Sequence, residues 1–135
     1  MSLDLSSIER AVARLGEGLA RYQQDLSDDQ VRDGVIQRFE FTYDLAPKML
    51  RRFLESAADS PGMIDLMTFP ALIRTAWEKG LIRGGWPEWH DFRDMRNATS
   101  HLYDEAKAIE VAAKIPVFLE EVQFLVQKLK AQPVL

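Results

Sequence analysis

At 135 residues, 47% of them hydrophobic, the chain is long enough for one compact domain with a real core and too short for two. It contains no cysteine, which excludes a disulfide scaffold and thiolate metal sites, and its formal charge of -4 lacks the broad cationic field of non-specific nucleic-acid binders. No apolar run approaches the ~18 residues of a membrane span, and MSLDLSSIER carries acids where an export signal needs an apolar stretch. A cytoplasmic protein with no membrane contact is the expectation, and any RNA contact must be local or supplied by a partner.

The first predicted element is an amphipathic helix, because Leu5, Ile8, Val12, Leu15, Leu19, Tyr22 and Leu26 recur at steps of three and four. A second runs from about Asp28 to Ala57. SDD supplies its cap and first-turn acids, and Val35, Phe39, Tyr43, Ala46, Leu50 and Phe53 form its apolar stripe. Pro47 falls inside this run and predicts a kink between Tyr43 and Pro47 within one helix. SPGMIDLM breaks the pattern. TFPALIRTAWEKG then reads as a short third helix, with Thr68 as cap, Pro70 in its first turn and Gly80 as terminator. Pro87 opens a fourth helix that continues through RNATSH. Asp104 begins a fifth, on which Ile109, Ala112, Ile115, Leu119, Val122, Leu125 and Leu129 keep the three-four spacing and Pro116 introduces a bend. No segment alternates as strands do, so the fold class is all-α: an antiparallel bundle of four or five helices.

RNATSHLY, residues 96 to 103, places Arg96, His101 and Tyr103 close together on the fourth helix. At about 100° per residue, Trp89, Phe92, Met95, Thr99 and Leu102 share the core-facing side, and Arg96 and Tyr103 lie there too. His101 falls on the opposite side with His90, Asp94 and Asn97, in a polar stripe that on spacing alone reads as a solvated face. An arginine on an apolar face needs an acceptor, and Glu40 and Asp44 of the second helix are the candidates, Glu40 preferred. Spacing alone favours a simpler reading, in which Arg96 snorkels to solvent with its stem over Phe92 and Leu102.

Other chemistries are poorly supplied. His90 with Asp94, or Asn97 with His101, offers at most two metal ligands per turn, so no metal or other cofactor is expected. Gly84 and Gly85 lack the strand and lysine of a phosphate loop, and no serine elbow occurs. Trp77, Trp86, Trp89, Phe39, Phe41 and Phe53 are read as core, not as stacking platforms.

RNATSHLYDE, preceded by WHDFRDM, resembles the Arg-x4-His-x-Tyr signature of the HEPN superfamily, and RDGVIQRFEFTYDLAPKMLRRFLE resembles the second helix of one branch of it. That branch is the nucleotidyltransferase substrate-binding protein family, and the resemblance covers nearly the whole chain. It implies a HEPN-like up-and-down bundle that forms a homodimer, and a small nucleotidyltransferase encoded nearby as partner in a toxin-antitoxin-like module. Pro47 departs from the family's bulky aromatic at that position, which is expected to alter the groove beside the second helix.

Two functions follow from the resemblance. In the first, the chain presents a groove, with Asn97, Ser100, Tyr103, Glu40 and Asp44 as binding residues, to the nucleotidyltransferase or its nucleotide. In the second, it is a metal-independent ribonuclease: Arg96 holds the scissile phosphate, His101 exchanges a proton with the attacking 2′-hydroxyl or the leaving oxygen, and modification of Tyr103 by the nucleotidyltransferase restrains it. Residues five apart on a helix diverge by about 140°, so Arg96 and His101 converge only if the helix ends between them or two copies combine. From Trp86 to Lys107 five carboxylates (Glu88, Asp91, Asp94, Asp104, Glu105) face three bases (Arg93, Arg96, Lys107), a balance that repels RNA and favours the binding function.

Overall fold

The protein's structure, a computed structural model, describes residues 3–132. Within them the chain is helical, without strands, in the order α1 (Ser6–Gln24), α2 (Asp29–Ala57), α3 (Pro61–Asp65), α4 (Phe69–Glu78), α5 (Trp86–Ala98), a 3-10 turn (Thr99–His101) and α6 (Glu105–Ala131). The expected all-α bundle is therefore found. The predicted caps hold three of these starts. Asp28 accepts the Val31 amide at 3.1 Å, the Thr68 hydroxyl accepts that of Ala71 at 3.3 Å, and Asp104 accepts that of Ala106 at 3.0 Å. Gly80 follows α4 with φ 74°, the left-handed conformation that glycine adopts without a steric penalty.

α2 and α6 continue through Pro47 and Pro116 as single helices. α1 and α2, joined by a short turn, pack together and against α6, while α5 closes over α2 and α6. The buried apolar side chains form one cluster. At its centre Phe118 of α6 meets Phe39 of α2 edge-on at 4.8 Å and Phe92 of α5 at 5.2 Å, and Trp89 meets Phe92 at 5.3 Å. These aromatic contacts lock α5 in place beneath the RNATSH segment. No helix among the described residues is long and apolar enough to cross a membrane.

The structure departs from the sequence reading in several places. SPGMIDLM was expected only to break the pattern, yet it contains α3, held by Arg51, which donates to the carbonyls of Ile64 and Met67 at 3.0 Å each. α1 ends at Gln24, so Leu26 lies beyond its seam and is exposed. Ile109 also faces solvent, because Ala108 takes the inward position on that turn of α6. Of the aromatics read as core, Trp89 and Phe39 are fully buried, but Trp77 and Phe41 are exposed. The fourth helix also stops short: α5 ends at Ala98, before the serine and histidine of RNATSH.

Candidate functional site

The end of α5 is written into the residues that follow Arg96. The Thr99 hydroxyl donates to the Arg96 carbonyl at 2.6 Å, and the Ser100 hydroxyl to the Asn97 carbonyl at 2.9 Å. Hydroxyls that capture the last carbonyls compete with helix continuation, and the backbone tightens into the 3-10 turn. The wheel built on a continuous helix therefore fails past Ala98. Tyr103, expected to face the core beside Arg96, is instead 86% exposed. Its hydroxyl lies 3.4 Å from Nδ1 of His101, which is exposed as well.

Arg96 does not snorkel. Its Nε and Nη2 donate to the two carboxylate oxygens of Asp44 at 3.0 and 3.1 Å, Nη1 donates to the Thr99 hydroxyl at 2.9 Å, and Glu40 approaches Nη1 at 3.1 Å. The preference for Glu40 is thus reversed. A carboxylate that takes both prongs of the guanidinium fork makes the stronger pair, and Asp44 is the one positioned to do so. This hydrogen bonding to Asp44, followed by the fields of Asp44 and Glu40, raises the Arg96 pKa above the ordinary arginine value. Beneath the cluster, burial pushes the Tyr43 phenol up to about 12, which keeps it neutral. Replacing Arg96 by Met is expected to lower stability by about 2 kcal/mol, less than a fully buried pair, because Asp44 is half exposed. Urea denaturation measures this; an unchanged midpoint means that the fork contributes nothing to the fold.

The structure gathers Glu40, Asp44, Arg96, Asn97, Thr99 and Ser100 around one open depression between α2 and the end of α5. His101 and Tyr103 do not line it; they form a neighbouring exposed pair. Two carboxylates around one guanidinium leave the depression net negative. The turn is tied to α2 at both ends: Arg96 pins its start to Asp44, and past Tyr103 Glu105 lies 3.5 Å from Nη1 of the buried Arg32. Sequence reasoning missed Arg32, which carries no signal beyond following Val31, and assigned Thr99 only to the core. Thr99 was visible at i+3 from Arg96.

In the polar stripe, His90 pairs with Asp94 at 3.4 Å and packs edge-on against Trp86 at 5.7 Å. With Asp91, which spacing did not select, these residues place potential ligand atoms within 4.8 Å of one another. A second overlooked residue is Glu121 of α6. It is 5% exposed and accepts the Arg83 and Gly84 amides at 2.8 and 2.7 Å and the Trp89 indole N–H at 3.3 Å, which fixes the turn that launches α5.

Known proteins share the sequence pattern and the fold. Residues 3–131 match the family described as nucleotidyltransferase substrate binding protein like. A protein of Haemophilus influenzae named probable ribonuclease HepT is 38% identical over 125 residues, covering 92% of this chain and 85% of the relative. A solved structure from the same organism, described as revealing the fold of a substrate binding domain of a nucleotidyltransferase, matches with a TM-score of 0.87 at 35% identity, over 94% of this chain and 99% of that one. With a bundle, a terminal Arg-x4-His-x-Tyr turn and a family match along nearly its whole length, the chain belongs to the nucleotidyltransferase substrate binding protein-like family.

Proposed function

We propose that the chain is the helical partner of a nucleotidyltransferase and a metal-independent ribonuclease, with His101 as the proton-transfer residue and Tyr103 as the residue through which the nucleotidyltransferase restrains it. One observation carries this reading over pure binding: Tyr103, an acceptor only if its hydroxyl is reachable, is 86% exposed and adjoins His101. The similarity to a probable ribonuclease supports it independently. In RNA cleavage the 2′-hydroxyl attacks the adjacent phosphorus and the bond to the 5′ oxygen breaks. One base must take the 2′ proton and one acid must supply a proton to the leaving oxygen. A histidine performs one of these at a time, so a two-fold dimer that pairs two His101 turns completes the set. Arg96 acts as a positioning residue: through Asp44 and Thr99 it holds the turn that carries His101.

Restraint at Tyr103 is an ordinary nucleotidyl transfer. The phenol oxygen attacks the α-phosphorus of ATP, pyrophosphate leaves, and the phenol proton passes to a base, for which His101 is the nearest candidate at 3.4 Å. An AMP there would add bulk and negative charge beside the histidine and exclude RNA. Incubation with the cognate nucleotidyltransferase and ATP should add mass to the wild type and none to Tyr103→Phe, as read by intact mass spectrometry; no added mass on either defeats the restraint. Sedimentation at micromolar concentration should show a dimer, and a monomer alone would remove the paired-histidine arrangement.

A second reading keeps a specific observation on its side. The depression formed by Glu40, Asp44, Arg96, Asn97, Thr99 and Ser100 is net negative and open, which suits recognition of a partner better than grip on a phosphate. In that case the wild type cleaves no RNA, and Asp44→Asn weakens binding to the nucleotidyltransferase.

A further inference from the structure

The groove between α1 and α2 reverses the charge balance of the molecule. Arg10 and Arg14 line it from α1, and Gly34, Gln37, Arg38 and Phe41 from α2, and no carboxylate is among its lining residues although the chain is net acidic. None of the three arginines takes part in an ion pair among the described residues. Arg38 is preset: its Nη1 donates to the Arg14 carbonyl at 2.6 Å, and Gly18 leaves room for it, since a Cβ there would sit 3.2 Å from that nitrogen. Glu17 lines the continuation of the groove past Arg38, where Arg21 offsets it.

Gly34 is the second, independent sign. Glycine inside a helix is destabilising relative to alanine, and a Cβ on Gly34 would meet nothing within 4 Å, so the fold gives no packing reason for its presence. A bare, exposed stretch of α2 backbone in the groove is what a ligand needs for close approach. Phe41, 62% exposed, ends the groove one turn from Arg38. Gly34, Arg38 and Phe41 fall within about 60° on α2, and the groove shares no lining residue with the depression around Arg96, whose Asp44 lies one turn beyond Phe41.

We infer that the α1–α2 groove binds the phosphodiester backbone of single-stranded RNA, with Arg10, Arg14 and Arg38 on phosphates and Phe41 stacked on a base. Guanidiniums one helical turn apart, about 6 Å, match neighbouring phosphates along an extended strand, and an aromatic beside a cationic groove is the usual arrangement for sequence-tolerant single-strand binding. The inference concerns binding and holds whether or not His101 cleaves.

The test uses the full chain carrying His101→Ala, so that the probe survives, and a fluorescein-labelled oligouridylate followed by anisotropy across a salt series. Arg10→Gln with Arg14→Gln should weaken binding roughly tenfold or more and reduce the slope of log affinity against log salt by about 1.4, or about 0.7 for each phosphate that is no longer neutralised. Gly34→Gln should raise the melting temperature while weakening binding several-fold, a pairing that a merely structural glycine does not give. Unchanged affinity and salt slope in the double arginine variant overturn the inference. Polyglutamate competing as well as unlabelled RNA at equal charge overturns it too, by assigning the groove to an acidic protein.

Discussion

Glu121→Ala is expected to remove about 3 kcal/mol of stability, a large share of the ~5–15 kcal/mol that hold a domain of this size. The carboxylate is buried and receives three N–H donors, from Arg83, Gly84 and the Trp89 indole. Truncation orphans all three. The Trp89 ring is fully buried, so its N–H finds no water without disturbing the aromatic cluster, whereas the two loop amides can be partly resolvated. Glu121→Gln should lose less, because one amide oxygen still accepts but the other acceptor becomes a donor facing N–H groups. Gly84→Ala attacks the same joint from the other side, since its Cβ would lie 2.6 Å from the Glu121 carboxylate and 2.8 Å from Cβ of Glu88. Guanidinium denaturation followed by tryptophan fluorescence measures all three, and Glu121→Ala unfolding with the wild type would show that the launch turn of α5 is held by packing alone.

How far the sequence disclosed this molecule depends on the kind of force at work. Burial repeats with the helix period, so α1, α2 and α6 are legible from Ile8, Phe39 and Ile115 and their neighbours, and capping is local, so Asp28, Thr68 and Asp104 announce their helices. The tie from Arg96 to α2 was legible only in part: a guanidinium on an apolar face demands a carboxylate, but spacing alone favoured an arginine that snorkels to solvent. Which carboxylate depends on the offset between two helices, and Asp44 displaced Glu40 there. The position of Tyr103 was hidden because a wheel assumes that the helix goes on, while the Thr99 and Ser100 hydroxyls end it by taking nearby carbonyls. Glu121 reads as one more surface acid after Glu120; the overlooked clue is that Phe118 and Leu125, at i-3 and i+4, both face the core. The exposed Phe41 carried a clue as well: two residues from Phe39, it falls about 200° round α2, opposite the buried stripe.

The proposed chemistry rests on His101. Because its side chain is exposed on a turn held at both ends by other residues, His101→Ala should unfold with the wild type while cleavage falls by about 10²-fold or more, the contribution usual for a positioned proton-transfer group. Arg96→Met should behave differently, reducing stability and cleavage together, since the turn that carries the histidine loosens with it. The central measurement is the cleavage of single-stranded RNA in the presence of a metal chelator, by wild type and His101→Ala matched for folded concentration. Wild-type cleavage that leaves 2′,3′-cyclic phosphate ends and is lost in His101→Ala is the predicted result; a wild type that leaves the RNA intact, or a variant that cleaves as fast, would contradict it.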